Sequence, residues 1–133
     1  MLYTSSNIDQ IKSVFRNECF HDGKISKYDY DITKGVLELY IENKYCNKWM
    51  CLSAINVMLI ISTSLKSWET DNLSIVSCTL EDKKTIINAL NKIQPHSIGK
   101  VCEIQNNCIL FVIQFFSGDE LHVMCEKISL SDV

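Results

Sequence analysis

The run ILFVIQFFSGDELHVMC, residues 109–125, decides the fold. Two apolar segments flank Ser117-Gly118-Asp119, and in each of them large apolar side chains recur at every second position, as they do in β-strands. A two-residue turn would place Glu126 beside Phe111 or Ile109, and a buried, unpaired carboxylate is costly. We therefore expect a three-residue loop in which Gly118 takes the left-handed conformation. One face of this hairpin is then entirely apolar and carries Ile109, Phe111, Ile113, Phe115, Leu121, Val123 and Cys125.

The segment from Trp49 to Thr63 is the most apolar part of the chain. Residues 54–61 are rich in β-branched side chains, which predicts a strand that is buried on both faces, with a helix as the alternative. Such a segment would promote aggregation at a sheet edge, so we expect it at the centre of the sheet, with Trp49 in the core. Polar residues interrupt the charge-free stretch between Lys48 and Lys66, which favours buried strands over a membrane span.

An earlier β-hairpin is indicated by two alternating runs, residues 24–32 and 37–42, joined by Thr33-Lys34-Gly35. One side of this hairpin is expected to face the core through Leu37, Leu39 and Ile41. The other side carries four carboxylates: Asp29, Asp31, Glu38 and Glu42. Asp29 and Asp31 point to the same side of a strand, about 7 Å apart.

Two helices complete the predicted elements. Apolar residues at positions 8, 11, 14 and 15 predict a short N-terminal helix that ends near Cys19, before the turn His21-Asp22-Gly23. A second helix is predicted near 82–94, where Pro95 stops it. Further strands are expected at 73–80 and near Ile98. The fold class is therefore α+β in a single domain, residues 1–133, with about seven strands in a mainly antiparallel sheet or sandwich.

Composition excludes several classes of protein. The 133 residues are 47% hydrophobic and 22% charged, with one Pro, which is unlike disordered or collagen-like chains. The net charge of −3 argues against direct binding of nucleic acid. The first residues lack the basic and apolar regions of a secretion signal, so we expect a cytoplasmic protein that is not bound to a membrane.

The seven cysteines do not follow a pattern that indicates chemistry. They stand at 19, 46, 51, 78, 102, 108 and 125, and no pair has CxxC spacing. We expect most of them to be reduced core residues, with neither a disulfide framework nor a metal site, and we assign no cofactor. Phosphate loops, nucleophile elbows and zinc-protease helices are absent from the sequence, so no residue is assigned as catalytic. A nucleophilic pair of Cys19 or Cys125 with His122 stays open, because it depends on distances that a sequence does not contain.

Two groups of residues are candidates for recognition. The hairpin carboxylates form either a solvated face or an anionic binding surface. Trp68 lies in the polar stretch from Lys66 to Asn72, where it is either an interface anchor or a core residue beneath a folded-back loop.

Four stretches of the chain carry a resemblance to a known class of proteins. They are Phe20-His21-Asp22-Gly23-Lys24-Ile25, Tyr28-Asp29-Tyr30-Asp31, the loop with Trp68, and the run from Gln114 to Leu121. In this order they resemble small β-rich bacterial proteins with an early His-Asp pair, some of which are immunity proteins of polymorphic or contact-dependent toxin systems.

The resemblance implies a non-catalytic binding function. Such a protein masks the active site of a cognate toxin, and many of these toxins are nucleases with cationic clefts. The residues expected to bind the partner are Asp29, Asp31, Glu38, Glu42, Trp68, Glu69 and Asp71.

Two rival functions remain open at this point. A small-ligand-binding or enzymatic β-domain would need a deep apolar pocket with converging polar groups. A structural or oligomeric module would need an exposed sheet edge or an apolar patch.

Overall fold

The computed structural model describes residues 1–17, 20–62, 74–80 and 108–133. The helix predicted near 82–94 and the strand predicted near Ile98 lie outside these residues. So do Cys19 and the predicted site residues Trp68, Glu69 and Asp71.

Seven strands and one α-helix form the described part of the chain. In chain order they are β1 (Leu2–Thr4), α1 (Ile8–Asn17), β2 (Lys24–Asp31), β3 (Val36–Asn43), β4 (Lys48–Ser62), β5 (Ile75–Leu80), β6 (Ile109–Phe115) and β7 (Glu120–Asp132). All pairings are antiparallel and belong to one sheet of order β2-β3-β4-β7-β6-β5, with β1 paired to β7. The α+β class with an antiparallel sheet is confirmed, and the described strands form a single sheet. β1 was not predicted from the sequence.

The β6–β7 hairpin confirms the apolar face. Ile109 pairs with Cys125, Phe111 with Val123 and Ile113 with Leu121, and all six are buried. The three-residue loop is 116–118, one residue earlier than predicted, because the amide of Phe115 donates to the carbonyl oxygen of Asp119 at 3.0 Å and extends the ladder. Gly118 has a φ of 90°, as the turn requires.

β4 is central, as predicted, since it lies between β3 and β7. The prediction that it is buried on both faces is wrong: Ala54 is buried, but residues 55–62 are half-buried or exposed. The prediction that Trp49 lies in the core is also wrong, because 45% of this residue is exposed. Met50, Leu52 and Ala54 take the core-facing positions of the pleat, so Trp49 points to the opposite face.

Helix α1 packs its apolar stripe against the core face of the sheet. The 3-10 turn Ser5–Asn7 precedes it, and the Thr4 and Asn7 side chains form a capping box there. Ile11 and Phe15 are buried, and the ring of Phe15 lies edge-on to the rings of Phe20 (5.5 Å) and Phe111 (5.9 Å). The helix ends at Asn17.

The two edge strands of the sheet, β2 and β5, meet at one end. Lys24 forms an isolated antiparallel bridge with Ser74. Beside it, the amide of Asp22 donates to the carbonyl oxygen of Ile75 at 2.9 Å, and the amide of Ile75 donates to Gly23 at 2.7 Å. The predicted turn at residues 21–23 is confirmed, with a φ of 65° at Asp22. The sheet is therefore strongly curved, and this turn is the seam that joins its edges.

Candidate interaction surface

The predicted carboxylates of the first hairpin lie on one face of the sheet. Asp29 pairs with Glu38, and Lys24 pairs with Glu42, so each pair shares a face. The next strand brings Trp49 opposite Glu42 on that face. We call the surface formed by Lys24, Lys27, Asp29, Glu38, Tyr40, Glu42 and Trp49 the outer face.

Asp31 has a structural role in the turn that follows β2. Its Oδ1 accepts hydrogen bonds from the Thr33 hydroxyl at 2.6 Å, the Thr33 amide at 3.0 Å and the Lys34 amide at 3.2 Å. These bonds, that of the Thr33 side chain first, hold the pKa of Asp31 below its usual value. The turn spans 32–35 and ends at Gly35, whose φ is 64°. A cationic partner would therefore have to compete with the turn for this carboxylate.

A small polar network occupies the middle of the outer face. The Tyr40 hydroxyl donates to Glu38 Oε2 at 2.7 Å, and this bond to a carboxylate raises the pKa of Tyr40 to about 12. The ammonium group of Lys27 lies 5.3 Å from the centre of the Tyr40 ring, within cation–π range. The network holds the Glu38 carboxylate in a defined position.

Two exposed aromatic residues lie where β3 turns into β4, Tyr45 within the turn and Trp49 at the start of β4. Tyr45 is 87% exposed and Trp49 is 45% exposed. Buried Asn43 holds this turn, because its Oδ1 accepts from the amides of Tyr45 at 3.0 Å and Cys46 at 3.1 Å. The aromatic side chains are thus presented from a hydrogen-bonded turn. Sequence analysis missed both, although strand alternation counted back from Ala54 would have placed Trp49 outward.

The second predicted patch, Trp68 with Glu69 and Asp71, lies outside the described residues. The structure therefore places Asp29, Glu38 and Glu42 on one face, whereas the Asp31 carboxylate is hydrogen-bonded within a turn. Two aromatic residues of the outer face lie beside these carboxylates: Tyr40, which is hydrogen-bonded to Glu38, and exposed Trp49, which pairs with Glu42.

The structure does not form the nucleophilic pair of Cys125 and His122 that the sequence left open. Cys125 shares the buried face of β7 with Val123, whereas His122 lies at the alternate position and its Nε2 is 2.8 Å from Glu120 Oε2. Burial raises the pKa of the Cys125 thiol to about 12, so the thiolate needed for attack is suppressed. Within the described ranges, no cluster of three or more His, Cys, Asp and Glu side chains is placed to hold a metal ion.

Of the five cysteines that the structure describes, four are reduced core residues. Cys51, Cys78, Cys108 and Cys125 are buried free thiols, which confirms that prediction for them. Cys46 is disulfide-bonded and is therefore an exception to the expectation that most of the cysteines are reduced. Sequence spacing did not reveal this bond, because pairing depends on Cα distances that the fold sets. A disulfide is more typical of oxidising compartments, and the cytoplasmic location stays a prediction.

Among the helices that the structure describes, none has the length and apolar character needed to cross a membrane. When the chain is compared with known proteins, no family model, curated protein or solved structure matches it.

Proposed function

We propose that this protein is a non-catalytic binding protein of the immunity type, which neutralises a cognate bacterial toxin by covering the toxin's active site with the outer face. The observation that carries the proposal is the position of exposed Trp49, which is in register with Glu42 and on the same face as the hydrogen-bonded Glu38–Tyr40 pair. Tryptophan is enriched among the residues that dominate interface energies, and it acts best when surrounded by polar contacts that exclude water.

The charges of the outer face suit a cationic partner. Its three carboxylates outnumber its two lysines, Lys24 and Lys27, and the Lys27 ammonium group is close to the Tyr40 ring. Complementary charge speeds encounter and disfavours wrong partners more than it adds affinity. A nuclease toxin fits this chemistry, because its substrate cleft must attract phosphate groups.

The backbone of the outer face supports a preorganised interface. β3 and β4 are paired along their whole shared length, from Val36 with Ile55 to Asn43 with Lys48. A face built on paired strands needs little ordering on binding, so less of the interaction energy is lost to conformational entropy.

The product of the adjacent gene is the candidate toxin to test. We expect a stoichiometric complex in calorimetry and rescue of growth when both proteins are expressed together. Trp49→Ala should weaken the complex by roughly 30-fold, equivalent to about 2 kcal/mol. Met58→Ala, on the same strand and 38% exposed, is the matched control and should change affinity less than about twofold.

Charge variants distinguish an effect of the carboxylates on the association rate from an effect on the dissociation rate. Asp29→Asn with Glu42→Gln should slow association and flatten its dependence on salt, whereas dissociation should change less. Asp9→Asn removes one carboxylate from the first turn of α1 and is the control for charge alone. Absence of any complex, together with absence of growth rescue, would overturn the proposal. If Trp49→Ala and Met58→Ala weaken the complex equally, the outer face is not the binding surface.

A further inference from the structure

A groove lies between helix α1 and strand β5, away from the outer face. It has a volume of about 450 Å³, which is within the range of small-molecule sites. Among the described residues, its floor is apolar and consists of Phe15, Phe20, Cys78 and Leu80, whereas its rim is polar and carries Lys12, Arg16, His21 and Thr79.

The rim provides two cations, Lys12 and Arg16, that have no ion-pair partner among the described residues. Lys12 and Arg16 are four residues apart on α1, so their side chains lie one turn apart on the same side of the helix. Both are exposed, and neither forms an ion pair with any residue that the structure describes. Phe15 lies beside them in sequence and is buried at the floor. An anion held by the two cations would therefore carry its apolar part over the Phe15 ring.

The remaining polar groups of the groove are already satisfied or neutral. The Ser77 hydroxyl donates to Gln114 Oε1 at 2.9 Å, and His21 Nδ1 lies 3.0 Å from Asp22 Oδ2. Burial raises the pKa of the Cys78 thiol far above its ordinary value, so this group is a neutral part of the floor. The described part of the groove thus offers an apolar floor and a cationic rim, and its one thiol is held in the neutral form.

We propose that this groove binds a small arylcarboxylate, with its ring on the apolar floor and its carboxylate between Lys12 and Arg16. Phe15 and Phe20 are only 7% and 1% exposed, so the ring contacts the floor through the edge of Phe15 and through half-buried Leu80, and it gains apolar contact area that an inorganic anion lacks. Arginine offers paired donors that match a carboxylate, and the neighbouring lysine adds a second charge. The site is independent of the outer face.

The full-length, isotope-labelled protein can be titrated with 1-naphthoate and followed by amide NMR. We expect saturable shifts centred on the amides of Lys12, Arg16, Cys78 and Thr79. The neutral isostere 1-naphthamide should bind at least about tenfold more weakly, because it lacks the charge that the rim recognises. Inorganic phosphate, which lacks a ring, should give no saturable shift at these amides.

The double variant Lys12→Gln/Arg16→Gln isolates the role of the rim. Both side chains are exposed, so the fold should be kept, and 1-naphthamide should bind as it does to the wild type within about twofold. Binding of 1-naphthoate should fall at least about tenfold. Lys44→Gln, an exposed cation in the β3–β4 turn, is the control and should leave both affinities unchanged.

Three results would overturn the proposal. They are the absence of saturable shifts with 1-naphthoate, shifts that map outside α1 and β5, and equal affinity of the double variant and the wild type for 1-naphthoate. Each of them leaves the toxin-binding test untouched, because that test uses residues of another surface.

Discussion

The side-chain amide of Asn43 donates a hydrogen bond to the carbonyl oxygen of His21 at 2.9 Å. This bond ties the end of β3 to the seam turn at residues 21–23, where the two edges of the sheet meet. The Asn43 Oδ1 accepts two further bonds from the turn that presents Tyr45. Among the described residues, Asn43 is the one buried polar side chain, and it holds the seam and the aromatic turn together.

Replacing Asn43 should therefore destabilise the protein. Asn43→Ala removes three hydrogen bonds and leaves two amides and a carbonyl oxygen without their partner, so we expect the free energy of unfolding to fall by about 2–4 kcal/mol. Urea denaturation followed by circular dichroism measures this change. Lys44→Ala, the exposed neighbour, should shift the free energy by less than about 0.5 kcal/mol. A loss below about 1 kcal/mol for Asn43→Ala would contradict the linking role.

Two phenylalanines of the β6–β7 hairpin should respond very differently to truncation. Phe111 is fully buried and its ring meets that of Phe15 edge-on, so Phe111→Ala should cost about 3–5 kcal/mol through lost contacts and a cavity. Phe116 is 61% exposed, and Phe116→Ala should cost less than about 1 kcal/mol. Thermal and urea unfolding of both variants measure the two losses in the free energy of unfolding. Similar losses for the two would mean that the apolar face is not the centre of the core.

Tyr40 should titrate abnormally. The bond to Glu38 raises the pKa of Tyr40 to about 12, because losing the phenolic proton breaks the bond and places a second negative charge beside the carboxylate. Glu38→Gln should bring the pKa down towards the usual value of about 10. Residue-resolved NMR of labelled tyrosine rings across alkaline pH reports the titration.

The control for this titration is Glu42→Gln, which removes a carboxylate from the same strand but not the bond to Tyr40. The pKa of Tyr40 should stay at about 12 in that variant. An equal drop in both variants would assign the shift to the general charge of the outer face instead of the Glu38 bond.

Local patterns predicted the parts of the fold in which side chains alternate against one core. In the β6–β7 hairpin, alternate residues of the segments 109–115 and 121–125 lie together on one buried face. In β3, Leu37 and Leu39 point to the core, whereas Glu38 and Glu42 point to the other face of the sheet. Register follows from burial in these segments, since a slip of one residue would expose an entire apolar face.

The interaction surface could be predicted only in part. Sequence analysis predicted Trp49 in the core, whereas the pleat of β4 turns it outward opposite Glu42. The seam between Lys24 and Ser74 depends on the curvature of the whole sheet, and the disulfide at Cys46 depends on distances between remote positions. The groove between α1 and β5 likewise forms only when the helix packs against the sheet, so no short sequence motif predicts it.

The buried thiol of Cys125 should make stability depend on alkaline pH. Desolvation raises its pKa in the folded protein to about 12, whereas an unfolded cysteine titrates near about 8.5. The stabilising contribution is therefore complete below about pH 8.5 and is lost as the pH rises towards 12, because only the unfolded state releases the proton. We expect the free energy of unfolding to fall by about 1 kcal/mol for each pH unit above 9 from this thiol.

Urea denaturation at a series of pH values between about 7 and 10 tests this dependence with two variants. Cys125→Ala should lower stability at neutral pH but show a shallower decline on the alkaline side, since the titrating group is gone. Ile128→Val removes a methyl group from the same buried face of β7 and is the control; its curve should run parallel to that of the wild type. If the curve of Cys125→Ala also runs parallel, the thiol is not protected by burial in the folded protein, and its assignment as an inert core residue fails.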